Sequence, residues 1–215
     1  MRRAGTVLCA GALAWASVLS AGAEVASAGG GKIGTAPGAG RVGLEAQFSQ
    51  CDPLGNYLVG DSIGMDAQTA LSSTFTVDGI GGRTLQAGID AVRADQYLWG
   101  SADNIVIELG TNYSAGAETS ARRLYRLLHR RNPSARMYWL GVFADRGFFE
   151  PGHPGYPRYL NASLKAMSGR HRSLTFVNPA RFKAKVSTID GTHPDAEGAL
   201  DLARIVRRVV IPHCH

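Results

Sequence analysis

From Tyr57 onward, short apolar runs alternate with longer stretches of helical periodicity. Tyr57-Leu58-Val59 (ended by Gly60), 74–77, 104–109, 136–143 and 174–177 each read as a buried strand. Over 65–71, 85–96, 117–131, 156–168 and 195–210, apolar positions recur every three or four residues, the spacing of one helix face. In 117–131 that face holds Ala121, Leu124, Leu127 and Leu128. Arg122, Arg123, Arg126 and Arg130 lie away from it, most simply as a solvated face. Strands alternating with helices predict an α/β protein: a five-stranded parallel sheet covered on both faces, a three-layer α/β/α sandwich. The common order for such a sheet is flavodoxin-like, 2-1-3-4-5. Its switch point lies between the first and third strands, so the loops after Val59 and Leu109 are expected to flank a ligand crevice.

The first 28 residues do not fit this pattern. Arg2 and Arg3 precede an apolar run over 7–18 that is too short to span a bilayer, and Ala26-Ser27-Ala28 is a small-x-small cleavage site. Residues 1–28 therefore read as a secretory signal peptide, cut after Ala28 or after Ala23. Residues 29–50 form a Gly/Ala-rich lead-in, and 51–215 a single domain. No membrane span is expected after cleavage, and the mature chain is expected to be a monomer.

The formal charge of +6 falls by one with the signal peptide, which removes Arg2, Arg3 and Glu24. This balance suits an anionic envelope or acidic glycan as well as it suits a merely soluble surface. With no basic-aromatic recognition motif, nucleic acid is not an expected partner. Of the three cysteines Cys9 leaves with the signal, so Cys51 and Cys214 remain as an even pair in an oxidising compartment. They predict a disulfide joining the two ends of the domain.

Candidate chemistry sits at the ends of the strands. Asp190-Gly191-Thr192-His193-Pro194 places an aspartate three residues before a histidine and just before the helix over 195–210. Proline favours the first helical position, which predicts His193 at or beside the N-cap. There the helix dipole disfavours imidazolium, and Asp190 can fix the tautomer. Gly60-Asp61-Ser62-Ile63-Gly64 puts a hydroxyl directly after the first strand, at a helix start whose free N–H groups suit an oxyanion. Asp78-Gly79-Ile80-Gly81-Gly82-Arg83 follows the second strand and Gly110-Thr111-Asn112-Tyr113 the third. Taken singly, each is an ordinary turn or cap. Their order places a nucleophile, a base with its orienter and oxyanion donors at one edge of one sheet.

These blocks resemble the GDSL/SGNH hydrolase family, over about 58–199. The likeness rests on Gly60-Asp61-Ser62, on Gly82 in Gly-Gly-Arg-Thr, on Gly110-Thr111-Asn112, and on Asp190 with His193. Tyr113 departs from the family's common aspartate. Val77-Asp78-x-x-x-Gly82-Arg83 is further similar to the extracytoplasmic catalytic domains of peptidoglycan O-acetyltransferases. The resemblance implies a Ser62/His193/Asp190 triad, an oxyanion hole from the N–H groups of Ser62 and Gly82 and the amide of Asn112, and no metal or cofactor. It implies a secreted or cell-envelope serine esterase acting on short acyl esters, acetyl above all, with a cell-wall glycan as candidate partner. The alternatives are an O-acyltransferase and a non-catalytic glycan-binding relative. Phe148, Phe149 and Tyr156, in and after a long loop behind the fourth strand, are candidate substrate walls, or they simply pin that loop down. His129, His153, His171, His213 and His215 have no ligand spacing and read as helix, loop and tail residues.

Overall fold

The computed structural model describes residues 51–143, 152–153 and 155–214. The signal-peptide and lead-in readings (1–50) and the candidates Phe148 and Phe149 lie outside the described residues. In chain order the elements are β1 (Asn56–Gly60), α1 (Ser62–Asp66), α2 (Gln68–Leu71), β2 (Thr76–Gly79), α3 (Leu85–Ala94), α4 (Gln96–Trp99), β3 (Asn104–Glu108), α5 (Ala117–Arg131), β4 (Arg136–Leu140), α6 (Tyr156–Ser168), β5 (Leu174–Val177) and α7 (Ala196–Val210). Every strand pair is parallel, in the order β2-β1-β3-β4-β5. This is the expected three-layer α/β/α arrangement, with β1 and β3 adjacent at the switch point.

Strand side chains alternate between two apolar layers, as a two-residue period requires. Tyr57, Val59, Ile105, Ile107, Met137 and Trp139 join the layer built with α3, α5 and α6. Leu58, Val106, Tyr138 and Leu140 join the layer built with α1, α2 and α7. Burying each such side chain contributes roughly 1.5–3 kcal/mol. Both faces are covered, so the strands read as near-continuous apolar runs.

Polar side chains move several boundaries away from the apolar pattern. The second strand starts at Thr76, because the Thr74 hydroxyl donates to the Leu71 carbonyl at 3.2 Å and extends the end of α2. The fourth strand stops at Leu140. Beyond it the Asn161 side chain takes over the pairing, accepting from Val142 N at 2.9 Å and donating to Val142 O at 2.8 Å. Helix α7 begins at Ala196, with Asp195 as its N-cap accepting from Gly198 N at 2.8 Å. His193 thus lies two residues before the cap, and the expectation that it sits at or beside the helix start is corrected. The backbone of this loop is tied sideways instead: Ile189 N donates to His193 O at 2.9 Å, and Pro194 bridges Thr188.

Cys51 and Cys214 form a disulfide, with Cα atoms 5.5 Å apart and a sequence separation of 163. On the chain-entropy account a loop of that length gives about 5 kcal/mol at most. No described helix is long and apolar enough to cross a membrane.

Candidate active site

The site is assembled from the carboxyl ends of the three neighbouring strands β2, β1 and β3 and from the loop before α7. Gly60 at the end of β1 pairs with Gly79 on one side and Glu108 on the other. The loops leaving those positions therefore start side by side. Helix α1 lies close against them: a Cβ on Gly79 would stand 2.5 Å from Met65 N and 2.6 Å from Met65 Cα. Only glycine lets α1 approach that closely. Asp61 caps this helix through its side chain, accepting from Ile63 N at 3.1 Å. Ser62 follows at the first helical position, half-buried.

Three side chains from distant parts of the chain form one hydrogen-bonded line. Ser62 Oγ is 3.0 Å from His193 Nε2, and His193 Nδ1 is 2.7 Å from Asp190 Oδ2. The other Asp190 oxygen accepts from the N–H groups of Thr192, at 3.0 Å, and His193, at 2.8 Å. These bonds, the backbone one from His193 first, hold the Asp190 carboxyl down at about 2, so it is an anion at neutral pH. An anion facing Nδ1 favours the tautomer that carries its proton there. Nε2 is then left as an acceptor toward the serine hydroxyl. The His193 and Asp190 side chains are 31% and 46% exposed, so the line is open to water. Asp66, at the end of α1, is raised above its ordinary carboxylate value, first by burial and then by Asp190.

Two loops bring the expected oxyanion donors to the same edge. Gly82 has φ +73°, a left-handed turn that favours glycine. The next residue, Arg83, is buried. Its guanidinium donates to Gly60 O at 3.1 Å, to Asp78 O at 2.6 Å and to Asp78 Oδ1 at 2.6 Å. Asp78 Oδ2 in turn accepts from the Tyr57 hydroxyl at 3.0 Å. The loop carrying Gly82 is thereby tied to the ends of both β1 and β2. Thr84 forms a backbone bridge with Asn112, and Asn112 Nδ2 donates to Arg83 O at 3.2 Å. One amide hydrogen of Asn112 is used in this way, which fixes the direction of the other.

Beneath the turn lies a group the sequence reading did not single out. Glu108, the last residue of β3, is 5% exposed, and Asp61 is 0% exposed. Glu108 Oε2 accepts from Asp61 N at 3.2 Å and from Gly64 N at 2.9 Å. Burial, followed by the Asp61 charge, pushes the Glu108 carboxyl well above the ordinary range. Burial raises the Asp61 carboxyl as well, so the pair favours holding a proton. A glutamate closing an apolar run that must be buried on both faces was the available signal. Arg83, immediately after Gly81-Gly82, was a similar one.

Of the substrate-wall candidates, Tyr156 is described. It is buried at the start of α6, edge-on to Tyr113 with ring centroids 5.0 Å apart, and burial pushes its hydroxyl up to about 12. His153 stacks on Tyr113 at 3.5 Å, and His171 packs against Tyr125 at 4.5 Å.

No protein-family model matches the sequence, and a search of curated proteins by sequence gives no match. Solved structures do match. A GDSL-like lipase from Bacteroides thetaiotaomicron superposes with a TM-score of 0.60 at 18% identity, covering 78% of this chain and 94% of its own. The C-terminal catalytic domain of Streptococcus pneumoniae peptidoglycan O-acetyltransferase A, solved with a methylsulfonyl adduct, gives 0.57 at 15% identity, over 74% and 93%. A carbohydrate esterase family 2 enzyme with a carbohydrate-binding domain, from Corynascus thermopiles (Myceliophthora fergusii), gives 0.54 at 15%, over 73% and 65%. The protein has the GDSL/SGNH hydrolase fold.

Proposed function

We propose that this chain is an extracytoplasmic serine esterase that cleaves short acyl esters, acetyl above all, on cell-envelope glycans. The observation that carries the reading is the unbroken line Ser62 Oγ–His193 Nε2, His193 Nδ1–Asp190 Oδ2, at 3.0 and 2.7 Å. In this mechanism Ser62 Oγ attacks the ester carbonyl carbon while Nε2 accepts its proton. The oxyanion is held by the N–H groups of Ser62 and Gly82 and by the free amide hydrogen of Asn112. Collapse breaks the bond to the alcohol, which leaves with the proton from Nε2. A water then gives a proton to Nε2 as it attacks the acyl carbon, and collapse frees the acid while Nε2 returns that proton to Ser62 Oγ. Asp190 stays ionised throughout and balances the imidazolium. Tyr156 is assigned to the substrate wall. The disulfide supports an oxidising, extracytoplasmic setting.

A second reading has its own support. The fold is shared with a peptidoglycan O-acetyltransferase catalytic domain. The same acyl-enzyme passed to a sugar hydroxyl makes a transferase. Exposure of His193 and Asp190 favours water as the acceptor. The test supplies p-nitrophenyl acetate, butyrate and longer esters with and without peptidoglycan oligosaccharides. Acetate release that is insensitive to added oligosaccharide is expected. Acetylated oligosaccharide that grows at the expense of acetate would make the protein a transferase. No turnover of any ester would remove the enzyme reading.

A further inference from the structure

Tyr113 immediately follows Asn112, so whatever lines the next cavity is covalently continuous with the proposed oxyanion site. That cavity measures about 500 Å³ and is lined, among the described residues, by Tyr113, Ser114, Glu118, His153, Tyr156 and Tyr159. Its size falls within the roughly 300–1,000 Å³ of small-ligand sites. Its lining is mixed: tyrosine rings beside hydroxyls and a carboxylate. A hydrocarbon chain would strip water from the Glu118–Arg122 ion pair at a desolvation cost, with nothing polar to replace it. A quaternary ammonium would want a free negative charge, but Glu118 Oε1 is already bonded to Arg122 at 2.6 Å, and Oε2 accepts from the Tyr159 hydroxyl at 2.5 Å. A sugar satisfies both halves, with C–H faces on rings and hydroxyls on polar atoms.

The cavity runs on along α5. Thr119 lines both it and a second groove of about 710 Å³, which continues past Arg122, Arg123, Arg126 and Arg130 to Arg93 of α3. From Glu118 to Arg130 the helix rises about 18 Å. Arg122 is paired with Glu118 and Arg93 with Asp90. Among the described residues no carboxylate lies within ion-pair range of Arg123, Arg126 or Arg130. Arg130 can be explained by its place in the last turn, where a cation complements the helix dipole. Arg123 and Arg126 sit mid-helix and exposed, where the helix dipole offers no such complement. Arg122, Arg126 and Arg130 are successive i,i+4 neighbours, and Arg123 and Arg126 are i,i+3 neighbours. Each like-charge pair at such spacing is destabilising. A stretch that pays this repeatedly without a partner is suited to a ligand that brings the opposite charge. Guanidinium forks match carboxylate and phosphate oxygens.

We propose that the substrate is an oxyanion-bearing glycan: the sugar next to the ester occupies the tyrosine-lined cavity beside Asn112, and its anionic groups lie on the arginine groove of α5. This rests on the serine-esterase reading for the ester and extends it to the polymer. The experiment compares kcat/KM on an O-acetylated polyuronate, an O-acetylated glycan phosphate, a neutral O-acetylated xylan and p-nitrophenyl acetate, at low and high salt. A preference of at least about tenfold for an anionic glycan is expected at low salt, collapsing at high salt. The triple variant Arg123→Ser/Arg126→Ser/Arg130→Ser should lose that preference while keeping its fold by circular dichroism and its rate on p-nitrophenyl acetate. Tyr159→Ala should raise KM for anionic and neutral glycans alike. The two anionic arms decide between carboxylate and phosphate. Equal rates on anionic and neutral glycans, or a preference that survives the triple substitution, would overturn the proposal. Calorimetric titration of Ser62→Ala protein with the same glycans reads the surface without turnover. Binding there without ester cleavage by the wild type would sink the esterase reading and keep the surface. Equal affinity for duplex DNA and anionic glycan would reduce the groove to a non-specific cation patch.

Discussion

Asp61 and Glu108, at the ends of adjacent strands, are both buried at the turn that leads into Ser62, with the Asp61 N–H donating to Glu108 Oε2 at 3.2 Å. Burial raises both carboxyls above their ordinary range, Glu108 the further. The pair holds the N–H groups of Asp61, Ile63 and Gly64, and so the first turn of α1.

Glu108→Gln keeps an acceptor for Asp61 N and Gly64 N without the titrating carboxyl, and is expected to retain fold and most activity. Glu108→Ala leaves buried donors and a buried charge without partners, at about 1–3 kcal/mol for each orphaned group. The pH dependence has a definite sign. The folded-state value of Glu108 lies above its unfolded one, so the folded state keeps a proton that the unfolded chain releases. That contribution is fully present below the ordinary glutamic acid value, about 4.3. It is lost as pH rises from there through the raised folded value. Glutamine has no such proton, so urea unfolding across that window should give a flatter stability curve for Glu108→Gln than for wild type. Parallel curves would mean that the Glu108 carboxyl is not raised in the folded state.

Asn112→Ala removes a side-chain donor but leaves the backbone bridge to Thr84 in place. It should lower kcat by about 10²–10³ with little change in KM, the cost of one oxyanion donor. Steady-state kinetics on p-nitrophenyl acetate reads this. An effect confined to KM would make Asn112 a residue that positions substrate instead.

Gly198 packs directly on the loop that carries Asp190 and His193. A Cβ there would stand 1.8 Å from Ser187 O. Gly198→Ala must push that backbone away, and Ser187 also donates to Asp195 at 2.5 Å. A loss of kcat larger than the loss of folded protein is expected, with tenfold corresponding to about 1.4 kcal/mol in the barrier. Unchanged kcat alongside a lower Tm would confine Gly198 to packing.

Much of this was legible in the chain. The strands announce themselves because both sheet faces are buried, so apolar runs such as Ile105-Val106-Ile107 are continuous. The strand-end motifs are visible because Gly60, Ser62, Asn112 and His193 are types that apolar packing does not call for. What stayed hidden depends on partners far away in sequence. Glu108 reads as the tail of a strand until Asp61 is seen against it. Arg83 reads as a loop cation until its guanidinium is found on Gly60 O and Asp78. The N-cap slipped from His193 to Asp195, because the Thr188–Pro194 bridge, a tertiary contact, competes with proline's preference for the first helical turn.

The central claim is that Ser62 is a nucleophile activated through His193. It is tested most directly by incubating purified protein with phenylmethylsulfonyl fluoride and mapping the adduct by peptide mass spectrometry. One sulfonyl group on Ser62 is expected, with labelling and p-nitrophenyl acetate turnover lost together, absent in Ser62→Ala and strongly slowed in His193→Ala. Labelling that persists in Ser62→Ala, or turnover that survives full modification of Ser62, would contradict the account.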